Sequence, residues 1–138
     1  MRPELPMIVS AAILALLGLG HLVLTYFGPK LLPRDRSLRA TMERVSPVIT
    51  TQTTMWRAWM GFNVSHSMGA MLFGLLYGYL ALAHGDVLWE SVFLQALGLV
   101  LLTAYVVLAK LYWFVTPQVG TSVALGCYVL SLGLAWAG

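Results

Sequence analysis

Four polar side chains lie within five positions of one another inside an otherwise apolar stretch, at Asn63, Ser65, His66 and Ser67. Residues three and four positions apart share one face of an α-helix, so Trp59, Asn63 and His66 would line one side of a helix, with Ser67 at its edge. Imidazole can accept or donate a proton, and amide and hydroxyl groups can hold a polar ligand by hydrogen bonds. The spacing therefore predicts one polar site on one helix.

A second imidazole, His21, lies six residues before the end of the apolar segment 7–27. His66 lies a comparable distance beyond Trp56, where the next long apolar segment starts. If the two segments are neighbouring antiparallel helices, the constant rise per residue places both rings at similar depth. We therefore expect His21 and His66 to lie close enough to face one cavity, and they are the candidate catalytic residues.

The first function that we consider is binding of a small amphipathic or lipid-like molecule, such as a quinone, a sterol-like lipid or an acyl substrate. Helix bundles commonly place such sites between their helices. The candidate ligand-binding residues are His21, Trp59, Asn63, His66 and Ser67. Of these, His21, Asn63 and His66 would bind the polar head. Phe62, Phe73 and Tyr77 would flank the apolar body of the ligand.

Two other functions stay open. The chain could be an accessory or structural subunit of a larger membrane complex, in which the cluster only forms interhelical hydrogen bonds worth about 1 kcal/mol each. Alternatively, His21 and His66 could be the axial ligands of a haem, although two histidines underspecify a metal site. Neither apolar segment carries a carboxylate that would complete a catalytic metal centre. The sequence assigns no reaction and no cofactor.

Composition places these residues in a membrane. Hydrophobic residues make up 59% of the 138 residues and charged residues 9%, whereas soluble domains carry about 25% charged residues. Apolar segments long enough to span a bilayer are predicted at about 7–27, 56–83, 87–113 and 117–136. Short connections make consecutive helices antiparallel. We therefore predict a single domain that is an all-α membrane protein, an antiparallel up-down four-helix transmembrane bundle.

Local signals mark the ends of these helices. Gly28-Pro29 would end the first span, and Ser46-Pro47 could start the second helix early. Ser37 could cap a short helix at the membrane surface, with a solvated loop as the equal alternative, and Asp86 could cap the third span. The fourth helix would start at Thr116-Pro117.

The basic residues are concentrated in one connection. Six of the eight Lys and Arg residues lie between Lys30 and Arg57. Because positive loops face the cytoplasm, the loop 28–55 should be cytoplasmic and both termini should lie outside, most simply in a bacterial inner membrane. Segment 30–57 should contact anionic lipids rather than nucleic acid, since no separate basic domain is left to bind DNA or RNA.

Small residues at Gly61, Ser65 and Gly69 recur every four positions, a spacing expected at a close helix–helix contact in a homo- or hetero-oligomer or within the bundle. Aromatic residues near the ends of spans are explained by the membrane interface.

The strings GLGH (18–21) and GFNVSHSMG (61–69), with a break at Pro29 and a long loop, resemble small four-span bacterial membrane proteins of the DoxX-like kind. The resemblance implies the four-span layout and no defined reaction.

Overall fold

The structure is a computed structural model that describes residues 2–137. All of its regular structure is helical, and residues 2–137 contain no strand, which confirms the all-α prediction. The helices are α1 (Glu4–Tyr26), α2 (Arg36–Arg44), α3 (Met55–Ala83), α4 (Gly85–Glu90), α5 (Val92–Tyr112) and α6 (Val115–Ala137).

Helices α1, α3, α5 and α6 are long and apolar enough to cross a membrane. They contain 23, 29, 21 and 23 residues, and about 20 residues are needed to cross a hydrocarbon core. Large apolar side chains such as Leu16, Leu72 and Phe93 lie exposed along them. A water-soluble surface would not carry so many exposed apolar groups. The chain is therefore an integral membrane protein.

Two compact units divide the chain, and α1 and α3 each contribute to both. We call Met1–Leu17 with Ala70–Gly138 the core unit, and Gly18–Gly69 the loop unit. The core unit contains the buried apolar cluster, and the loop unit contains the predicted polar site.

Three aromatic rings form the centre of the core unit. Phe73 stacks on Tyr77 with ring centroids 4.5 Å apart, and Tyr128 meets Tyr77 edge-on at 5.8 Å. The Tyr77 hydroxyl donates to the Leu94 carbonyl at 2.6 Å, and the Tyr128 hydroxyl donates to the Gln95 carbonyl at 2.9 Å. Both tyrosines are buried structural residues rather than members of an interfacial belt.

The side chain of Gln95 joins three helices of the core unit. Its amide nitrogen donates to the Trp89 carbonyl at 2.7 Å and to the Leu88 carbonyl at 3.2 Å, at the end of α4. Its amide oxygen accepts a hydrogen bond from the Trp136 indole on α6 at 2.9 Å. Because buried amides need partners, these bonds fix the junction between α4 and α5.

This junction corrects the predicted third span. A single helix from residue 87 was expected, but the backbone breaks at Ser91, whose extended conformation separates α4 from α5. The Ser91 hydroxyl accepts from the Leu94 N–H at 3.3 Å and caps α5, and Asp86 lies in the first turn of α4 instead of capping the span. Gln95 takes over the carbonyls that the broken helix leaves unpaired.

The loop unit differs from prediction at its helix starts. Gly28, with φ +93°, follows α1 in a conformation that favours glycine. Asp35, not Ser37, caps α2, and α3 begins at Met55 rather than near Pro47. The Met55 N–H donates to the Val45 carbonyl at 2.8 Å, which ties the start of α3 to the end of α2.

Close packing of backbones occurs at glycines that sequence spacing did not single out. A Cβ atom on Gly74 would lie 2.5 Å from the Ala11 carbonyl oxygen, and one on Gly98 would lie 2.8 Å from Tyr77 Cζ. The stripe of small residues predicted at Gly61, Ser65 and Gly69 makes no such close contact, because all three residues are exposed. Within one chain the stripe is therefore a surface feature and not the expected helix contact.

We expect Gly74→Ala to destabilise the protein, because the added methyl group meets the backbone of α1. Overpacking of this kind costs about 1–3 kcal/mol. The matched control is Gly126→Ala, where a Cβ atom meets nothing within 4 Å. This control should be neutral or more stable by up to about 1 kcal/mol, since alanine favours helix. Thermal unfolding followed by circular dichroism measures both, and equal loss in the two variants would contradict the close approach.

We expect the stability of the N-terminal end of α2 to depend on pH. Hydrogen bonds from the Ser37 hydroxyl and backbone N–H hold the pKa of the Asp35 carboxyl below its ordinary value of 3.8. The cap therefore contributes fully above pH 3.8 and is lost as pH falls through the lower folded-state pKa. Amide hydrogen exchange at residues 37–39 should accelerate in that acidic range relative to Asp35→Asn, which keeps an acceptor but no charge. A constant ratio between wild type and variant across the range would contradict the role of the carboxylate.

Candidate functional site

Asn63 is oriented by its own helix. Its side-chain nitrogen donates to the Trp59 carbonyl at 2.8 Å. A carbonyl oxygen can only accept, so the NH₂ group must face Trp59 and the amide oxygen must face away from it. That oxygen lies 2.9 Å from Nε2 of His21. The start of α3 therefore presents an acceptor to the last turns of α1.

The orientation of Asn63 sets the tautomer of His21. Because the amide oxygen can only accept, Nε2 must carry the proton in this hydrogen bond. In the neutral ring, Nδ1 then keeps a lone pair and is an acceptor. The Thr25 hydroxyl donates to the His21 carbonyl at 2.7 Å and is buried, which adds a polar contact one turn along the same helix. The four-residue spacing from His21 is the sequence signal for this contact, which we did not predict.

His21 and His66 contact each other. Their ring centroids lie 5.3 Å apart, and the ring planes meet at 85°, an edge-on arrangement. Both residues are half-buried. The expectation that the two imidazoles lie together is confirmed.

The other predicted residues divide into two groups. Trp59 takes part through its backbone carbonyl, and its side chain is 42% exposed. Ser67 is buried, and its hydroxyl donates to the Asn63 carbonyl at 3.0 Å, within its own helix. The structure therefore brings His21, Asn63 and His66 together, whereas the Ser67 hydroxyl is engaged with its own backbone. Ligand binding by any of these residues stays a prediction.

The residues expected to flank a ligand are placed differently. Phe73 and Tyr77 are 3% and 1% exposed and pack in the aromatic centre of the core unit, so they are filling residues there. Phe62, in contrast, is 76% exposed on the loop unit's part of α3. The flanking role of these three residues stays a prediction.

Two concavities on the surface lie away from the histidines. One has a volume of about 570 Å³ and is lined by residues between Pro29 and Arg39, and the other has a volume of about 600 Å³ and lies on α5. Neither is lined by His21, Asn63 or His66. His21 and His66 are half-buried in the loop unit, and the cavity that we expected beside them stays a prediction.

The geometry does not suit a haem between the two rings. Axial ligands bind iron from opposite faces of a flat macrocycle, but His21 and His66 are in direct edge-on contact. Within residues 2–137, no group of three or more His, Cys, Asp or Glu side chains is arranged to hold a metal ion. The arrangement can instead exchange a proton or receive a hydrogen-bond donor at Nδ1 of His21.

Relatives give no independent assignment for this cluster. Comparison of the chain with protein-family models, with curated proteins and with solved structures finds no match. The DoxX-like resemblance accordingly stays a prediction, and the function is argued from the site itself.

Proposed function

We propose that this membrane protein binds the polar head of a small amphipathic or lipid-like molecule at a site made of His21, Asn63 and His66. The observation that carries the proposal is the fixed His21 ring, whose Nε2 donates to Asn63 and whose Nδ1 remains an acceptor beside a second imidazole. In hydrocarbon a hydrogen-bond acceptor needs a donor from the protein or from a bound molecule. A ligand could bring such a donor from the lipid side.

The chemistry of the acceptor selects the head group. Nδ1 of a neutral His21 can receive a hydroxyl group, as in a quinol, a sterol-like alcohol or another lipid alcohol. A carbonyl head such as that of an oxidised quinone offers no donor to this atom. The exposed Trp59 and Phe62 side chains supply apolar surface on the same helix for the body of the molecule. The adjacent rings also permit acid–base chemistry on the bound hydroxyl group.

The proposal includes an antiparallel up-down arrangement of the four spans. It is supported within the core unit by contacts of α1 with α6, because Ser131 donates to the Pro3 carbonyl and a Cβ atom on Gly120 would meet Leu17. The first residues of α1 thus lie beside the last residues of α6, as expected for antiparallel helices. The excess of basic residues in the loop 28–55 favours a cytoplasmic loop, outer termini and a bacterial inner membrane.

A second candidate function is that of an accessory subunit. The observation in its favour is the exposed small-residue surface at Gly61, Ser65 and Gly69, where a Cβ atom on Gly61 meets nothing within 4 Å. A neighbouring helix from another chain could approach such a surface closely. In that case the half-exposed histidines would meet a protein partner rather than a lipid-like ligand.

Mass spectrometry of small molecules that co-purify in mild detergent tests the first function. We expect wild-type protein to retain a hydroxyl-bearing lipid-like species, and we expect His21→Ala and His66→Ala to lose it. Removing one hydrogen-bond partner of a buried polar group costs about 1–3 kcal/mol, so retention should fall by about tenfold or more.

The matched control for this experiment is Ser65→Ala. The Ser65 hydroxyl lies on the same helix, but it donates to the Phe62 carbonyl of its own backbone, so its loss should leave retention unchanged. If His66→Ala and wild type retain the same species equally, the cluster is structural. If wild type retains no such species and co-purifies at fixed stoichiometry with another membrane protein, the accessory function replaces the first.

A further inference from the structure

A basic concavity lies just beyond the end of α1 and is separate from the histidine cluster. Its volume is about 570 Å³, within the range of about 300–1,000 Å³ that is usual for small-molecule sites. Its lining residues are Pro29, Leu32, Pro33, Arg34, Arg36 and Arg39. The prolines restrict the backbone, and the Leu32 N–H donates to the Pro29 carbonyl at 3.1 Å. The wall is therefore a defined turn followed by the start of α2.

One of the three guanidinium groups is held in place. Nε of Arg39 forms an ion pair with Glu43 at 3.0 Å, and its guanidinium carbon lies 4.9 Å from the centroid of the Trp56 ring. These two contacts use one edge and one face of the group. The two terminal nitrogens remain available as donors.

The other two guanidinium groups are not neutralised. Within residues 2–137, Arg34 and Arg36 form no ion pair. The neighbouring Asp35 carboxylate accepts the Ser37 N–H at 2.8 Å as the cap of α2. The segment 28–54 contains five basic and two acidic residues, a net charge of +3. The concavity therefore has an excess of donors and of positive charge.

The chemistry that matches this concavity is a phosphate. Guanidinium groups bind phosphate oxygens in pairs of parallel hydrogen bonds, which is the strongest use of their planar shape. A phosphate could belong to a lipid headgroup or to a free ion. The position favours the lipid, because α1 is a membrane-spanning candidate and its end carries the exposed aromatic residues Tyr26 and Phe27. Such aromatic residues are typical of the headgroup level of a bilayer.

We propose that this concavity binds the phosphate of an anionic phospholipid headgroup, with Arg34, Arg36 and Arg39 as donors and Leu32 against the glycerol end of the acyl chains. The site is independent of the histidine cluster and of its ligand. The proposal assigns a specific phosphate-binding site, in addition to the general electrostatic attraction between a basic loop and an anionic bilayer.

Native mass spectrometry of the full chain in detergent with equal phosphatidylglycerol and phosphatidylcholine tests this site. We expect wild-type protein to retain phosphatidylglycerol preferentially. The double variant Arg34→Gln/Arg36→Gln should lower that retention by about tenfold, since it removes two charge-assisted donors. Inorganic phosphate and glycerol 1-phosphate are added in separate arms, and neither should displace the lipid at millimolar concentration.

Two further variants distinguish specific binding of the phosphate from nonspecific electrostatic attraction of the lipid. Arg44→Gln/Arg57→Gln removes the same charge from the basic residues 30–57 but outside the lining, and should retain the lipid nearly as wild type does. Arg34→Lys/Arg36→Lys keeps the charge but loses the paired donors, and should lose most of the preference. The proposal would be overturned if both Gln variants lost the lipid equally or if the Lys variant retained it fully. It would also be overturned if wild type showed no preference for phosphatidylglycerol, or if soluble phosphate displaced the lipid.

Discussion

Hydrogen-bonding groups inside a membrane-spanning helix must be satisfied by the protein or by something bound to it, because hydrocarbon offers no partner. The simplest solution in this chain is local. The hydroxyl groups of Thr25, Ser67 and Thr121 each donate to a carbonyl four residues earlier in the same helix. Such bonds satisfy a polar group without linking it to any other element, so they allow polar residues at depth but do not organise the fold.

Longer side chains satisfy the same constraint by joining different helices. In the core unit, Tyr77, Tyr128 and Gln95 reach backbone carbonyls around the break between α4 and α5, and the break exists where these donors are available. In the loop unit, Asn63 is fixed by the Trp59 carbonyl and in turn fixes His21. The difference between the two is that the first arrangement is buried, whereas the imidazoles of His21 and His66 are half-exposed.

Sequence patterns predicted the features that depend on one helix at a time. Charge depletion located the four apolar helices, and depth along each helix placed His21 beside His66. Features that depend on the rotation of one helix against another were missed. The burial of Tyr77 and the exposure of Gly61 follow from which face each helix turns inward, and apolar residues on all sides of a membrane helix hide that information. For the same reason, adjacency of the histidines was predictable but a cavity beside them was not.

The proposed ligand site depends most directly on the tautomer of the His21 ring. Nitrogen NMR of histidine-labelled protein in a bilayer at neutral pH, with the signal assigned by its loss in His21→Ala, distinguishes the two neutral tautomers. The account predicts that His21 carries its proton on Nε2 and leaves Nδ1 bare. A ring with its proton on Nδ1 and a bare Nε2, unaffected by Asn63→Ala, would contradict it.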